Sequence, residues 1–240
     1  QKIVRNFNDK SIGCVGGQII FKKICDYVFS GEKNASEKYD EFVRTKEGEI
    51  KTTFGLTGCL YAVRRRLYTP LADDQTSDLV LPLIIVRKGY RVICDPAAIA
   101  YKELSPNAVS EFRRRVRTTR AGIKGVTSML DLLKPSHGFF VPFGLVSHKI
   151  LRWASPYFII CIFVANIAIL HDNFFYRVIF AGQGLFYAMV AMGYVFSKIR
   201  YKPKIFTFPF NFVLINIAAI LGFIEFLKGH NEEIWQTERG

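Results

Sequence analysis

The sequence predicts an α/β unit followed by an α-helical membrane region, and the uneven placement of charge and apolar residues carries that division. Half of the 240 residues are hydrophobic. Residues 1–152 hold 26 Lys and Arg against 15 Asp and Glu, whereas residues 153–240 hold 7 against 5. The first stretch alternates strand-like and helix-like patterns, and the second contains three uncharged runs of near-membrane length. The boundaries that follow are residues 1–130 for the α/β unit and 131–153 for an interfacial segment. Residues 154–228 then form about three transmembrane helices, and 229–240 a tail.

A net charge of +13 suits anionic lipid, a phosphorylated substrate or nucleic acid. Nucleic acid is excluded as a partner, because the basic residues do not interleave with aromatics and no zinc-finger or RNA-binding motif occurs. Loops retained in the cytoplasm explain the excess more simply. Five cysteines (Cys14, Cys25, Cys59, Cys94 and Cys161) form no CxxC pair, so they read as reduced, buried thiols rather than metal ligands. The opening Gln1-Lys2-Ile3-Val4-Arg5 lacks Met and a signal peptide, as a fragment or processed product would.

Residues 12–21 read as a strand in which Gly16-Gly17 allow close backbone approach. Residues 36–44 suit a polar helix, and 47–53 a loop or edge segment. The stretch Gly55 to Val63 begins with small residues and turns apolar. Such a pattern serves either a backbone that approaches a ligand or a tight turn before a buried strand. Leu79, Leu83, Ile84 and Val86 then recur at helical spacing until Gly89. Asp78 stands at the start of that helix, where a carboxylate backed by a turn and a strand is placed to act as a general base. Residues 91–100 alternate as a strand with a Pro turn.

Arg113, Arg117 and Arg120 fall on one face of a helix across residues 111–122, with Arg114 three residues before Arg117. Guanidinium forks match phosphate oxygens, so this cluster can grip a diphosphate; it can equally be a solvated or lipid-facing basic face. The uncharged runs are 154–170, 178–197 and 205–224. Four basic residues lie in the connection Lys198 to Lys204 and none in His171 to Phe175. The positive-inside bias therefore puts the α/β unit and the 198–204 connection in the cytoplasm, and three spans put the C-terminus outside. Residues 139–146 are too short to cross and suit the interface. Asn166, Gln183, Asn211 and Asn216 either hydrogen-bond between helices or line a substrate path.

The motifs together resemble the C-terminal part of a membrane-bound glycosyltransferase of family 2, the group of cellulose-, chitin- and hyaluronan-synthase-like enzymes. Asn6-Phe7-Asn8-Asp9-Lys10-Ser11-Ile12-Gly13-Cys14-Val15-Gly16-Gly17 is similar to that family's F-x-D-P-x-V-G-x-V-x-G strand. Leu56-Thr57-Gly58-Cys59-Leu60-Tyr61-Ala62-Val63-Arg64-Arg65 resembles its T-G-x-x-Y-A-x-R-R acceptor-side segment. Thr76-Ser77-Asp78 stands where the family has T-E-D or S-D-D, with Gly89-Tyr90-Arg91-Val92 at the family spacing. Ser147-His148-Lys149-Ile150-Leu151-Arg152-Trp153 resembles the approach to the membrane region, and Trp235-Gln236-Thr237-Glu238-Arg239 the closing W-x-x-T-R. Arg114 and Arg117 occupy the Gln and Arg positions of Q-x-x-R-W, with Thr118 in place of Trp.

That resemblance implies that residues 1–130 are the second half of a GT-A, Rossmann-like nucleotide-diphospho-sugar transferase domain. It implies an inverting, hexosyltransferase-like glycosyltransferase at the cytoplasmic face of the cell (inner) membrane, a multi-pass protein in contact with membrane lipid. A sugar would pass from a nucleotide-sugar donor to a lipid-linked or polysaccharide acceptor. Asp78 would be the catalytic base, while Arg114, Arg117, Thr57 and Gly58 would bind substrate. A divalent metal, Mg or Mn, is implied through an Asp-x-Asp that lies mostly outside this chain, so the fragment alone is expected to be inactive. Asp73-Asp74 is no substitute for that motif. Ser77 replaces an acidic residue, which removes a neighbour that would raise the Asp78 pKa. The Ser77 and Thr118 departures also fit an alternative, a non-catalytic membrane-anchored partner of a polysaccharide synthase complex.

Overall fold

A computed structural model of the chain describes residues 2–22, 35–72, 75–103, 108–171, 173–198 and 203–229. Asp73-Asp74, Cys25, most of the 198–204 connection and the Trp235–Arg239 motif lie outside the described residues. The sheet has three strands in the order β2-β1-β3: β1 Ile12–Lys22, β2 Tyr61–Val63 and β3 Arg91–Glu103. β1 runs antiparallel to β2 and parallel to β3. The described sheet is therefore mixed, where a Rossmann-like reading implies parallel strands.

Gly16 and Gly17 are needed because the 56–60 loop and the bulged part of β3 both come close to β1. A Cβ on Gly17 would stand 2.5 Å from the Ala98 carbonyl oxygen, and one on Gly16 2.5 Å from the Leu56 side chain. The Pro turn expected in the third strand is a bulge rather than an end. The register passes from Gly16↔Cys94 to Gln18↔Ile99, and β3 continues to Glu103. Asp95 builds the bulge: it is buried, accepts the Ala97 N–H at 2.9 Å, and holds Asn6 Nδ2 at 2.7 Å. Arg64 ties the chain before β1 to β2, donating from Nε to Ile12 O and from Nη2 to Phe7 O and Asp9 O.

Helix α1 is the short turn Lys2–Arg5, and α2 is Ala35–Ile50. The expected loop at 47–53 is thus helical in its first part, with Gly48 lying against the Ile93 backbone. Its second part is an edge, as expected, since Thr53 N–H donates to Val92 O at 2.9 Å.

Helix α3, Ser77–Arg87, is not amphipathic. Leu79, Val80, Leu81, Pro82, Leu83, Ile85 and Val86 are all buried, so it is enclosed rather than laid on a surface. Helix α4, Ala108–Thr127, packs beside it and sends Val126 into the same core.

Residues 140–168 form one apolar helical run: α5 Phe140–Leu145, a π-turn at Val146–Ile150, and α6 Leu151–Ala168. Val141 and Leu145 belong to the core of the α/β unit, and the Phe54 ring lies on Gly144. Helices α7 (Phe174–Ser197) and α8 (Lys204–Leu227) follow, and all three runs are long and apolar enough to cross a membrane.

Three of the four amide side chains in the apolar runs do bond between helices. Asn166 pairs with Gln183 at 3.0 Å across α6 and α7, and Asn216 accepts from Ser155 Oγ at 3.0 Å across α6 and α8. The cysteines divide: Cys14 is buried and Cys94 partly so, whereas Cys59 and Cys161 are exposed, against the expectation of buried thiols.

Candidate functional site

Asp78 lies in the first turn of α3, where the helix dipole favours a carboxylate. Pro82 has no N–H to give to the Asp78 carbonyl four residues earlier. That carbonyl instead accepts the Leu56 N–H at 2.9 Å. A helix defect thereby fastens the 52–60 loop over Asp78. Thr57 holds the same loop to β1 through Oγ1, which donates to Gly17 O at 2.9 Å. Gly58 is exposed and stands over the carboxylate; a Cβ there would come 3.1 Å from Asp78 Oδ2. Both readings of the small-residue stretch thus hold in part: it is a turn into β2, and it leaves space above Asp78.

The Asp78 carboxylate is half-buried, and no side chain among the described residues bonds to it. Burial pushes its pKa above the ordinary carboxylate value, while Lys149, Arg44 and Arg114 oppose that rise from a distance. The missing acidic neighbour at Ser77 is therefore not needed, because desolvation does what a second carboxylate would have done.

Residues that the sequence reading left out complete the surroundings. Lys149 comes from the π-turn and points at Gly55, where a Cβ would stand 2.9 Å from its Nζ. Its neighbour His148 lies 3.5 Å from Glu47 Oε1, and Thr53 Oγ1 donates to Glu47 Oε2 at 2.8 Å. Burial raises the Glu47 pKa, and the Thr53 bond and His148 counter it. Arg152 pairs with Asp40 at 3.0 Å. The signal lies in the Ser147–Trp153 run, a charged stretch before an apolar helix whose pattern by itself indicates only an approach to the membrane. A π-turn marks it in the structure, as such turns often mark functional positions.

The arginines separate. Arg114 acts on Asp78 at a distance, but its fork is taken by Glu111 through two bonds of 2.7 Å. Arg117 and Arg113 are exposed on α4. Arg120 does not share their exposed face: it is buried, 3.7 Å from Glu225 of α8.

Around Asp78, Glu47 is engaged by His148 and Thr53, Asp40 by Arg152, and Glu111 by Arg114. No three His, Cys, Asp or Glu among the described residues are grouped to hold a metal ion. The described residues do not by themselves make up a divalent metal centre.

Neither a scan against protein-family models nor a search of curated proteins finds a match. Among solved structures, the chain is similar to the mannosyltransferase PcManGT from Pyrobaculum calidifontis in complex with GDP-Man and Mn2+. The TM-score is 0.65 at 18% identity, over 95% of this chain and 57% of that one. The chain has a glycosyltransferase fold. It spans little more than half the length of that neighbour.

Proposed function

We propose that this chain is the acceptor-side part of a membrane-attached, inverting glycosyltransferase, in which Asp78 is the general base. The observation that carries the reading is the carboxylate itself: half-buried, bonded by no side chain among the described residues, its pKa raised, and left accessible by Gly58. A base works best when its pKa approaches the working pH and a hydroxyl can reach it. Asp78 takes the proton of an acceptor hydroxyl, whose oxygen attacks the anomeric carbon of a nucleotide sugar. The bond to the nucleoside diphosphate breaks, and Arg117 with Arg114 supplies positive charge towards the leaving group.

The family 2 resemblance and the PcManGT likeness support this class of chemistry. A nucleotide-sugar donor and a divalent metal come to this protein by the same analogy, the metal with ligands other than the described residues. The three apolar helices support an acceptor at a membrane, lipid-linked or polysaccharide. In the full-length protein, Asp78→Asn should lower transfer by about 10²–10⁴-fold while donor binding persists. Undiminished turnover would sink the assignment. No transfer by the wild-type protein, with donor still bound, would favour the non-catalytic partner.

A further inference from the structure

Helix α8 is the most apolar of the three long helices, with a mean hydropathy of 2.1, and composition alone makes it a third span. Its contacts place it elsewhere. α6 and α7 are joined by a short turn and meet through Asn166–Gln183 and the Phe163–Tyr187 ring contact, so they form an antiparallel hairpin. The start of α6 and the end of α7 therefore lie at one end of it.

α8 touches that end twice, and between those contacts Phe212 meets Phe186 in the middle of α7. Near its start, Phe206 meets Phe196 and Phe210 meets Tyr194, in the last turns of α7. Near its close, Asn216 accepts from Ser155 and Phe223 meets Tyr157, in the first turns of α6. Beyond these, Glu225 reaches the buried Arg120, and Gly222 lies so close to α4 that a Cβ would stand 2.8 Å from Val116 O. Phe206 and Phe223 are seventeen residues apart, about 25 Å along a helix. A span running back along the hairpin would carry Phe223 to the α6–α7 turn, far from Tyr157 and from α4.

We infer that α8 is not a third span: it lies in the membrane surface across the open end of the hairpin, between α4 and lipid. The chain thus returns to the side of the α/β unit. Ile205, Phe208, Phe212 and Ile215 are exposed along one face of its first half, Leu221 and Ile224 on the opposite face of its second half, and exposed Lys204 and Lys228 stand at the two ends. Exposed apolar side chains between basic ends fit acyl chains beneath anionic headgroups. The polar face that an interfacial helix turns to water is replaced by contact with α4, which is why the sequence looks like a span.

Two measurements on the full protein in sealed vesicles containing anionic lipid test this. Phe139→Cys, His171→Cys and Lys228→Cys are treated with a membrane-impermeant maleimide, and labelling is read position by position by peptide mass spectrometry. Position 228 should be labelled from the same side as 139 and opposite to 171; labelling of 228 together with 171 overturns the inference. In Ile215→Trp, emission is compared with that of the parent in lipids brominated at shallow or deep acyl positions. Added quenching by the shallow bromines is expected. Strongest quenching by the deep ones puts the middle of α8 at the bilayer centre and defeats the proposal.

Discussion

Helices α3 and α7 are both apolar nearly all round, yet they occupy opposite surroundings. Seven of the eleven residues of α3 are buried in protein, whereas Gly193 alone is buried in the 24 residues of α7. Length separates them. Eleven residues reach about 16 Å and cannot cross a hydrocarbon layer of about 30 Å; 24 residues reach about 36 Å. α3 is therefore stable only where β1, β3 and α4 enclose it, and α7 can give its outer face to lipid. Apolar composition says that a helix leaves water; it does not say what replaces the water.

The comparison breaks most readily at side chains of one type in the two settings. Phe54 is 1% exposed in the α/β core, and Phe54→Ala should cost about 3–5 kcal/mol in thermal unfolding of the detergent-solubilised protein. Phe208 on α8 is 71% exposed, and Phe208→Ala should stay within about 0.5 kcal/mol in the same measurement. Equal losses would show that the outer faces of the long helices are packed against protein. Asn166→Ala is intermediate, because it leaves the Gln183 amide unpaired between apolar helices; a loss of about 0.6–1.7 kcal/mol is expected. No loss would mean that the hairpin is held by packing alone.

The smallest effect at neutral pH lies where the two regions meet. Lys149 enters the site from the helical run that leads to the membrane, and with Arg44 and Arg114 it opposes the rise that burial imposes on Asp78. In Lys149→Met that opposition weakens and the Asp78 pKa climbs further. A base must be ionised to act, so the acidic limb of the rate profile should move to higher pH. An unmoved limb would take Lys149 out of the field around Asp78.

Much of the frame was legible beforehand because it depends on local pattern. Strand β1 with its paired glycines, helix α3 and the apolar runs follow from spacing that neighbours in sequence enforce. Asp78 was legible as an acidic residue at a helix start. Lys149, Glu47 and His148 were not, since nothing local distinguishes them from solvated charges until α2 and the π-turn bring them under the 52–60 loop. The shared arginine face failed for the same reason: Arg120 is removed from it by Glu225, more than a hundred residues away.

The sequence by itself determined which segments leave water, where the strands lie, and that a carboxylate begins α3. Periodicity and length act within a segment, so they can be read one segment at a time. Only the tertiary structure decided that the Asp78 carbonyl receives Leu56, that desolvation rather than a second acid raises the Asp78 pKa, and that α8 rests on α4. Those outcomes depend on which partner fills the space beside each group, and that is set by packing between segments distant in the chain.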